Sequence, residues 1–545
     1  MKGVFRIGKR VALPFVLVMA VELVAFGGEG VVKDRSEEAV DVVEELLPVG
    51  DIHPETGFSY IARLTGGRQG DNNGSPSVCV LREDGKPLPS PRALHADIRN
   101  EGKGRYSHWT EGTLYFSASD NSDPRTNGRK YVLSSKQEVT RHVTTVRLGK
   151  GEGSYRIDTP KGRSIANQRL IIRNLDAKTT VVPRLALKGW PDLSSSAGIL
   201  KSILKPGMND EEKTLAIWKF LVDWRYHFYP AEGGDEIHDP VKFINVYGYG
   251  FCDDSAQNAA ALASLAGIRA RVWGLDGHVV AEAFFGDRWH MIDPDHEAYY
   301  RMPEGHIASV DELSAYPEII QKTKLDPIGS DTRTIADLYT TTHNNNAGEE
   351  KKAAQGHRLE PQLGPGDTLV FDLRDQSAFH AVIFADQGRP PGFANGTWVK
   401  QLEVKQGVGP LHIEWPYVIL GGELRWKNGS SADKMTVAIS ADGKKFERLA
   451  VKTDGGKHIV ALGDWVASRK QAVYEYWLQF EIGGKTAEVK HLELSTKFQF
   501  APRALPQVQA GGSQFELFLR TPDGSSLPED WKGLEMVHEW QEAGD

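Results

Sequence analysis

Cys252 is the residue of this sequence whose type and setting best suit nucleophilic chemistry. It is one of two cysteines in a chain of 545 residues, and it follows Gly248 and Gly250. The glycines favour a tight backbone turn, and the alanine-rich residues from Asp253 to about Ala266 predict a helix directly after it. Free N–H groups and the dipole at a helix N-terminus favour a thiolate. The pattern therefore predicts an activated cysteine.

A histidine and an aspartate downstream could complete such a site. The sequence predicts a β-hairpin with strands 278–285 and 288–294 around a two-residue loop. This register makes His278 and Asp293 diagonal neighbours on one face, about 7–8 Å apart at the backbone. A cysteine nucleophile requires an imidazole base, and the imidazole requires an orienting acceptor. A register slip of one residue would place the two side chains on opposite faces and remove the site.

Each of these residues also has a simpler interpretation. His278 could be an ordinary hydrogen-bonded strand histidine, and Asp293, which precedes a proline, could be a turn residue. Cys252 could form a disulfide with Cys79, because two cysteines in an oxidising compartment most simply pair. This disulfide is the main alternative to a reactive thiol.

A cluster of metal-ligand side chains lies in the same region, at His290, Asp293, Asp295 and His296. Strand alternation distributes these side chains over both faces, so the sequence predicts no metal site here.

The composition is typical of a folded protein, and the N-terminal segment resembles an export signal. Hydrophobic residues make up 40% and charged residues 25% of the chain, and the formal net charge of −8 argues against a nucleic-acid partner. Residues 1–30 join a basic segment, an apolar run and small residues, which predicts a signal peptide. Periplasmic, cell-surface or extracellular localisation follows. The alternative is an uncleaved anchor, which would be the single membrane contact expected.

The pattern of turns and periodicity predicts a multidomain α+β chain. Residues 31–48 resemble a short acidic helix, after which alternating apolar residues and Asp-Gly and Asn-Gly turns predict strands. Helical spacing begins near residue 199, and closely spaced turns after 366 favour a β-sandwich. The predicted units are a signal peptide (1–30), β-rich N-terminal domains (31–198), a mixed domain (199–343), a linker (344–365), a β-sandwich (366–515) and an acidic tail (516–545).

Four short pieces of residues 199–300 resemble the transglutaminase-like superfamily, in the family's order. They are GFCDDSA, the helix end AGIRAR, GHVVAE and WHMIDP. The matching positions are Gly250, Cys252, Asp254, Ala256, Gly267, Ile268, Ala270, Arg271, His278, Glu282, Trp289, Asp293 and Pro294. Val280 stands where the family usually carries an aromatic residue. The overall layout is similar to that of exported bacterial multidomain members.

The resemblance implies a cysteine-protease-like core, flanked here by mainly antiparallel β domains. It implies a papain-like triad of Cys252, His278 and Asp293 acting on amide bonds through a thioester. It further implies supporting roles for Asp254, Glu282 and Trp289.

The backbone N–H of Cys252 is one candidate oxyanion donor, and the sequence identifies no second donor. Tyr249 is added to the supporting residues because it is near Cys252 in sequence, and Tyr247 and Trp224 are weaker candidates for the same reason.

The expected substrate is a protein, peptide or cell-wall amide, and hydrolysis is expected rather than cross-linking. No cofactor and no calcium site are predicted. The alternative function is a non-catalytic cell-surface or glycan-binding protein that uses the same fold as a scaffold. The aromatic residues of its β domains would then contact glycans.

Overall fold

The computed structural model describes most of the chain. The described residues are 21–24, 31–64, 70–71, 77–110, 112–149, 152–228, 236–323, 332–341, 345–354, 356–380, 390, 392–405, 407–427, 435–469, 471–483 and 488–543. The predicted signal peptide lies outside these residues, except for the strand at 21–24. Among the described residues, no helix has the length and apolar character needed to cross a bilayer.

Antiparallel sheets dominate this multidomain chain, and helices are few. The helices are α1 (His95–Asn100), α2 (Ser196–Ile203), α3 (Asp210–Trp224), α4 (Pro240–Lys242), α5 (Cys252–Leu265), α6 (Val310–Ala315), α7 (Glu318–Gln321), α8 (Thr332–Thr340) and α9 (Gly463–Ala467).

The strands before the helix at Cys252 belong to several sheets. They are β1 (Val21–Val24), β2 (Val31–Leu46), β3 (Ile52–Pro54), β4 (Tyr60–Arg63), β5 (Val80–Glu83), β6 (Lys86–Pro87), β7 (Tyr106–Thr110), β8 (Thr113–Phe116), β9 (Tyr131–Leu148), β10 (Glu152–Ile157), β11 (Ile165–Asn174), β12 (Val182–Leu187), β13 (Tyr226–His227) and β14 (Tyr249–Gly250).

The later strands continue the antiparallel pattern. They are β15 (Arg269–Leu275), β16 (His278–Phe285), β17 (Arg288–Ile292), β18 (Asn346–Glu350), β19 (Thr368–Asp372), β20 (Ala394–Lys405), β21 (Leu411–Glu414), β22 (Ile419–Lys427), β23 (Thr436–Ser440), β24 (Glu447–Arg448), β25 (Lys452–Asp454), β26 (Lys457–Ala461), β27 (Glu475–Glu481), β28 (Glu488–Phe500), β29 (Ser513–Arg520) and β30 (Leu534–Ala543).

One large sheet connects distant parts of the chain. Its path runs β1-β2-β9-β30-β11-β19-β20-β28-β22-β26-β25, with β5 paired to β9 and β6 paired to β5. The loop after β28 reaches the segment before Cys252, where the Ala501 amide donates to the Asn245 carbonyl at 2.8 Å. The Gln499 side chain donates to the Val246 carbonyl at 3.2 Å. The large sheet therefore supports the turn that carries the cysteine.

A four-stranded sheet, in the order β17-β16-β15-β18, carries the predicted histidine. The hairpin between β16 and β17 has the predicted register, with Phe285 opposite Arg288 and Glu282 opposite Met291. Its loop residues Gly286 and Asp287 have φ values of 54° and 63°, the left-handed conformation of a two-residue hairpin turn.

Helix α5 packs against β15 and β16. Small side chains line both sides of this contact, because Ala259, Ala260 and Ala263 of the helix and Ala281 and Ala283 of β16 are buried in one core cluster. Small residues let the two backbones approach closely. The start of the helix is thus held near the start of β16.

The local helix signals are accurate. Asn209 caps α3 with Glu212 in a reciprocal capping box, and Ser309 caps α6 with Glu312 in the same way. The predicted helix after Cys252 ends at Leu265, and Gly267 follows with a φ of 86°.

Three segments differ from their sequence interpretation. Residues 31–46, predicted to be an acidic helix, form β2, because they pair along their whole length with β9. Residues 346–350, inside the predicted linker, pair with β15. The predicted acidic tail 516–545 contains β30, which lies between β9 and β11. In each case long-range strand pairing overrides a local pattern.

Candidate active site

Cys252 is the first residue of α5, and the turn before it is tightly constrained. Gly248 has a φ of 70°, and a Cβ at Gly250 would lie 2.6 Å from the Phe243 ring. The Phe251 amide donates to the Asp254 carboxylate at 2.7 Å, which fixes the first turn of the helix. The thiol is partly exposed at the helix N-terminus.

His278 and Asp293 are in direct contact. Nε2 of His278 lies 2.7 Å from Oδ2 of Asp293, and both side chains are buried. Burial is the largest influence on Asp293 and opposes its ionisation. The charge and hydrogen bond of His278, together with those of His296, nevertheless hold the pKa of this carboxyl well below its usual range.

Asp293 is held in place from two further directions. Its Oδ1 accepts hydrogen bonds from the amides of Asp295 and His296, both at 3.0 Å. Its carbonyl accepts from the indole of Trp218 in α3 at 3.1 Å. The carboxylate therefore has a fixed position relative to the imidazole.

The sulfur of Cys252 lies close to His278 and to a second carboxylate, that of Asp295. Sγ, a ring nitrogen of His278 and a carboxylate oxygen of Asp295 all lie within 4.8 Å of one another. Burial, followed by the negative charge of Asp295, raises the pKa of the Cys252 thiol to about 12, although the backbone of Val279 hydrogen-bonds the sulfur and opposes this rise. The thiol is the favoured form in this arrangement.

Asp295 is anchored by two residues just before and within β13. The Arg225 guanidinium lies 3.2 Å from Oδ1 of Asp295, and both side chains are buried. Nδ1 of His227 lies 2.8 Å from the same oxygen, and the His227 side chain is 41% exposed. Arg225 also donates to the Pro294 carbonyl. These contacts join β13 and the residue before it to the loop after Asp293.

The sequence interpretation did not include Arg225, His227, Asp295 or His296 in the site. A recognisable signal existed for the last two. Asp293-Pro294 begins an Asx-type turn, in which the aspartate side chain caps the amides two and three residues later. Such a turn folds Asp295 and His296 back towards the hairpin. The metal-ligand argument was wrong on this point, since it extended the strand to 294, whereas β17 ends at Ile292.

His290, another of the candidate metal ligands, contacts backbone carbonyls through both ring nitrogens. Its Nδ1 lies 2.6 Å from the Ile307 carbonyl and its Nε2 lies 3.1 Å from the Phe285 carbonyl.

The predicted supporting residues Asp254 and Glu282 are both held by neighbouring groups. Asp254 holds the Phe251 amide and lies 3.4 Å from His238. Glu282 is fully buried, 2.7 Å from Arg271, and accepts from the Val310 amide at 2.8 Å.

The aromatic residues named from the sequence pack against other side chains around the site. Trp289 stacks on the Arg271 guanidinium. Tyr249 and Tyr247 are buried behind the turn, with their rings edge to face, and burial raises the pKa of both. Trp224 packs against Trp190 and Phe220.

The structure also bears on the alternative disulfide and on the unusual residue Val280. Cys79 and Cys252 are both free cysteines, and Cys79 is buried in a separate core cluster of the N-terminal region, so the alternative of a disulfide between them is wrong. Val280, which replaces the family's usual aromatic residue, is fully buried in an apolar cluster with Met291 and Tyr339. It therefore acts as a core residue.

Comparisons with known proteins agree with the sequence motifs over part of the chain. The model of the transglutaminase-like superfamily matches residues 197–294. A search of curated proteins finds no match.

Solved structures give weak likenesses. The VP2 subviral particle of infectious bursal disease virus is 11% identical, with a TM-score of 0.15, and the match covers 51% of this chain and 77% of the viral chain. A protein from Parabacteroides distasonis proposed to be a protease is 10% identical, with a TM-score of 0.14 and coverage of 89% and 96%. TM-scores this low support no conclusion about either.

The family match contains Cys252, His278 and Asp293, the residues whose geometry is described above. Residues 197–294 belong to the transglutaminase-like superfamily.

Proposed function

We propose that the protein is a cysteine acyl-transfer enzyme that cleaves amide bonds. The observation that carries the proposal is the 2.7 Å contact between His278 and Asp293, with the Cys252 sulfur within 4.8 Å of a His278 nitrogen. A nucleophile, a base and an orienting carboxylate are the parts that covalent acyl transfer requires.

The first half of the reaction forms a thioester. Asp293 occupies Nε2 of His278, which leaves Nδ1 to take the thiol proton as Cys252 attacks the substrate carbonyl. The tetrahedral oxyanion would form near the N-terminus of α5, where the Cys252 amide and the helix dipole favour negative charge. His278 then gives its proton to the leaving amine as the C–N bond breaks.

The second half releases the acyl group. Water attacks the thioester carbonyl while His278 takes one of its protons, and the C–S bond breaks to return the proton to the sulfur. The products are a carboxylic acid and the free thiol. We favour water over an amine as acceptor because bacterial members of the superfamily are thought to be largely hydrolytic. The substrate class would be a protein, a peptide or a cell-wall amide.

The proposal also places the enzyme outside the cytoplasm, on the evidence of its basic and apolar N-terminal segment. The expected fold is a cysteine-protease-like core with flanking β domains that include a C-terminal β-sandwich. Fractionation of cells that express the full chain, with mass spectrometry of its N-terminus, tests the export.

The decisive experiment measures the reactivity of Cys252. Purified full-length protein is treated with iodoacetamide at neutral pH, and mass spectrometry follows Cys252 and Cys79 separately. We expect Cys252 to be alkylated at a rate that falls by about 100-fold in His278→Ala, while Cys79 is protected by burial. A Cys252 that remains unreactive in the folded wild type would contradict the proposal and favour a binding function.

A screen of peptide amides and glutamine peptides then separates the two acceptors. Hydrolysis yields a free acid, whereas cross-linking incorporates an added primary amine. Both must disappear in Cys252→Ala.

A further inference from the structure

Three side chains of the candidate site are of the types that bind zinc in proteins. Cys252 offers a sulfur, His278 a ring nitrogen and Asp295 a carboxylate oxygen, and these three atoms lie within 4.8 Å of one another. Thiolate, imidazole and carboxylate bind Zn²⁺ in tetrahedral sites, in which neighbouring ligand atoms are about 3.3–3.8 Å apart. Cys252 is the least buried of the three residues. Rotation about its χ1 angle can therefore bring the sulfur closer to the other two ligand atoms.

Both other ligands already have the partners that metal ligands need. Asp293 holds Nε2 of His278 at 2.7 Å, so Nδ1 is the nitrogen left to bind a metal. A carboxylate behind a histidine fixes the ring and raises its basicity in many zinc sites. Asp295 is oriented in the same way by Arg225 at 3.2 Å and His227 at 2.8 Å.

The local charge also favours a cation. Asp293 and Asp295 are two buried carboxylates, and Arg225 is the single buried guanidinium that contacts either of them among the described residues. A divalent ion bound by the sulfur and by Asp295 would offset the negative charge of the thiolate and of this carboxylate.

A neighbouring group of similar composition provides a comparison. His238 lies 3.2 Å from Asp253 and 3.4 Å from Asp254, and these three also offer metal-ligand atoms within 4.8 Å of one another. In that group the imidazole sits between the two carboxylates as their ion-pair partner. The Cys252 group differs in that it offers a thiol.

We propose that Cys252, His278 and Asp295 bind one Zn²⁺-like divalent cation, which blocks the nucleophile and thereby inhibits the enzyme reversibly. The metal forms bonds to the sulfur, to Nδ1 and to a carboxylate oxygen, and the thiol proton passes to solvent. A fourth position remains for water. Metal binding stands on the geometry alone, whereas the inhibition rests on the proposed function.

The test uses chelator-treated full-length protein and metal salts alone. Titration with Co²⁺, read by the sulfur-to-cobalt charge-transfer absorption, reports a thiolate ligand directly, and calorimetry with Zn²⁺ gives stoichiometry and affinity. We expect one ion per chain and loss of the charge-transfer band in Cys252→Ser. We expect affinity to fall by about 10–100-fold in Asp295→Asn, which keeps the side-chain shape.

Matched controls use the other cysteine and the neighbouring group. Cys79→Ser and His238→Gln should leave the band and the affinity unchanged, and circular dichroism checks that each variant is folded. Binding that survives Cys252→Ser, or that is lost in His238→Gln, would overturn the assignment, as would the absence of any binding.

The outcomes separate this inference from the proposed function. If Cys252 is alkylated rapidly, but neither Zn²⁺ nor Co²⁺ binds or protects it, the metal site is refuted and the enzyme proposal stands. If the metal binds through Cys252 while no acyl-enzyme forms with any substrate, the metal site stands and the enzyme proposal is refuted.

Discussion

The ring of His296 lies flat against the ring of His278, with centroids 4.0 Å apart and planes 9° from parallel. Nδ1 of His296 also lies 3.2 Å from Oδ2 of Asp293, the oxygen that meets His278 at 2.7 Å. Two imidazoles therefore share one carboxylate oxygen. His296 both supports the ring of His278 and competes for its partner.

Replacing His296 should separate these two effects. His296→Phe keeps a flat ring but gives Asp293 to His278 alone, whereas His296→Ala removes the support as well. We expect alkylation of Cys252 to be preserved in the first variant and slowed by about tenfold in the second. Equal slowing in both would show that the hydrogen bond, and not the stacking, matters. The pH profile of the alkylation rate is the readout that a purely structural role would not shift.

Asp293→Asn tests the orienting carboxylate. The amide cannot accept the imidazole proton in the same way, and it stabilises the imidazolium poorly, so acyl transfer should fall by about 10³-fold or more. The measurement is single-turnover acylation of Cys252, followed by mass spectrometry. Asp311→Asn, at an exposed carboxylate in α6, is the matched control and should react like the wild type. Normal acylation in Asp293→Asn would remove Asp293 from the proposed triad.

Gly250→Ala tests how tightly the nucleophile turn is packed. Its Cβ would lie 2.6 Å from the Phe243 ring and 2.9 Å from the Asp254 carboxylate. We expect a loss of about 1–3 kcal/mol in the free energy of unfolding, with slower alkylation of Cys252 in the protein that remains folded. Gly149→Ala has no atom within 4 Å of its Cβ and serves as the control. Urea unfolding and alkylation kinetics check both parts, and a neutral Gly250→Ala would show that the turn can relax.

His238 should make stability depend on pH. Burial, the largest influence, lowers its pKa, but Asp253 and Asp254 outweigh burial and raise the pKa from 6.5 to about 9. The folded-state pKa is therefore above the unfolded one. The stabilisation is fully present below pH 6.5 and is lost as the pH rises through about 9.

The wild type should accordingly lose up to about 3 kcal/mol between pH 6 and pH 9.5 from this group. His238→Gln should lack this component of the pH dependence. Urea unfolding of both proteins at several pH values gives the comparison. Parallel curves for the two proteins would contradict the ion-pair assignment.

Local signals in the sequence predicted much of the site's framework. The two-residue loop at Gly286 fixed the register of β16 and β17, and the register made contact between His278 and Asp293 possible. Helix α5 was equally predictable from the sequence, because its alanine-rich segment lies between a glycine-containing turn and a C-terminal glycine. The catalytic roles of these residues remain a proposal.

Contacts between distant segments could not be predicted in the same way. Arg225 and His227 contact Asp295, which lies about 70 positions later in the chain, and no local pattern encodes those contacts. Strand β2 carries enough acidic residues to resemble a helix, and only its partner β9 decides its conformation. Sequence periodicity describes which face is buried but not which strand covers it.

The position of β30 has a consequence for the order of folding. Residues 534–543 lie between β9 and β11, almost 400 positions earlier in the chain. During synthesis, the gap between those two strands can close only after residues 534–543 have been made. Contacts of such long sequence separation slow folding. The nascent chain would therefore expose two unpaired strand edges until residues 534–543 have been synthesised, and its solubility in that interval would depend on whatever shields them.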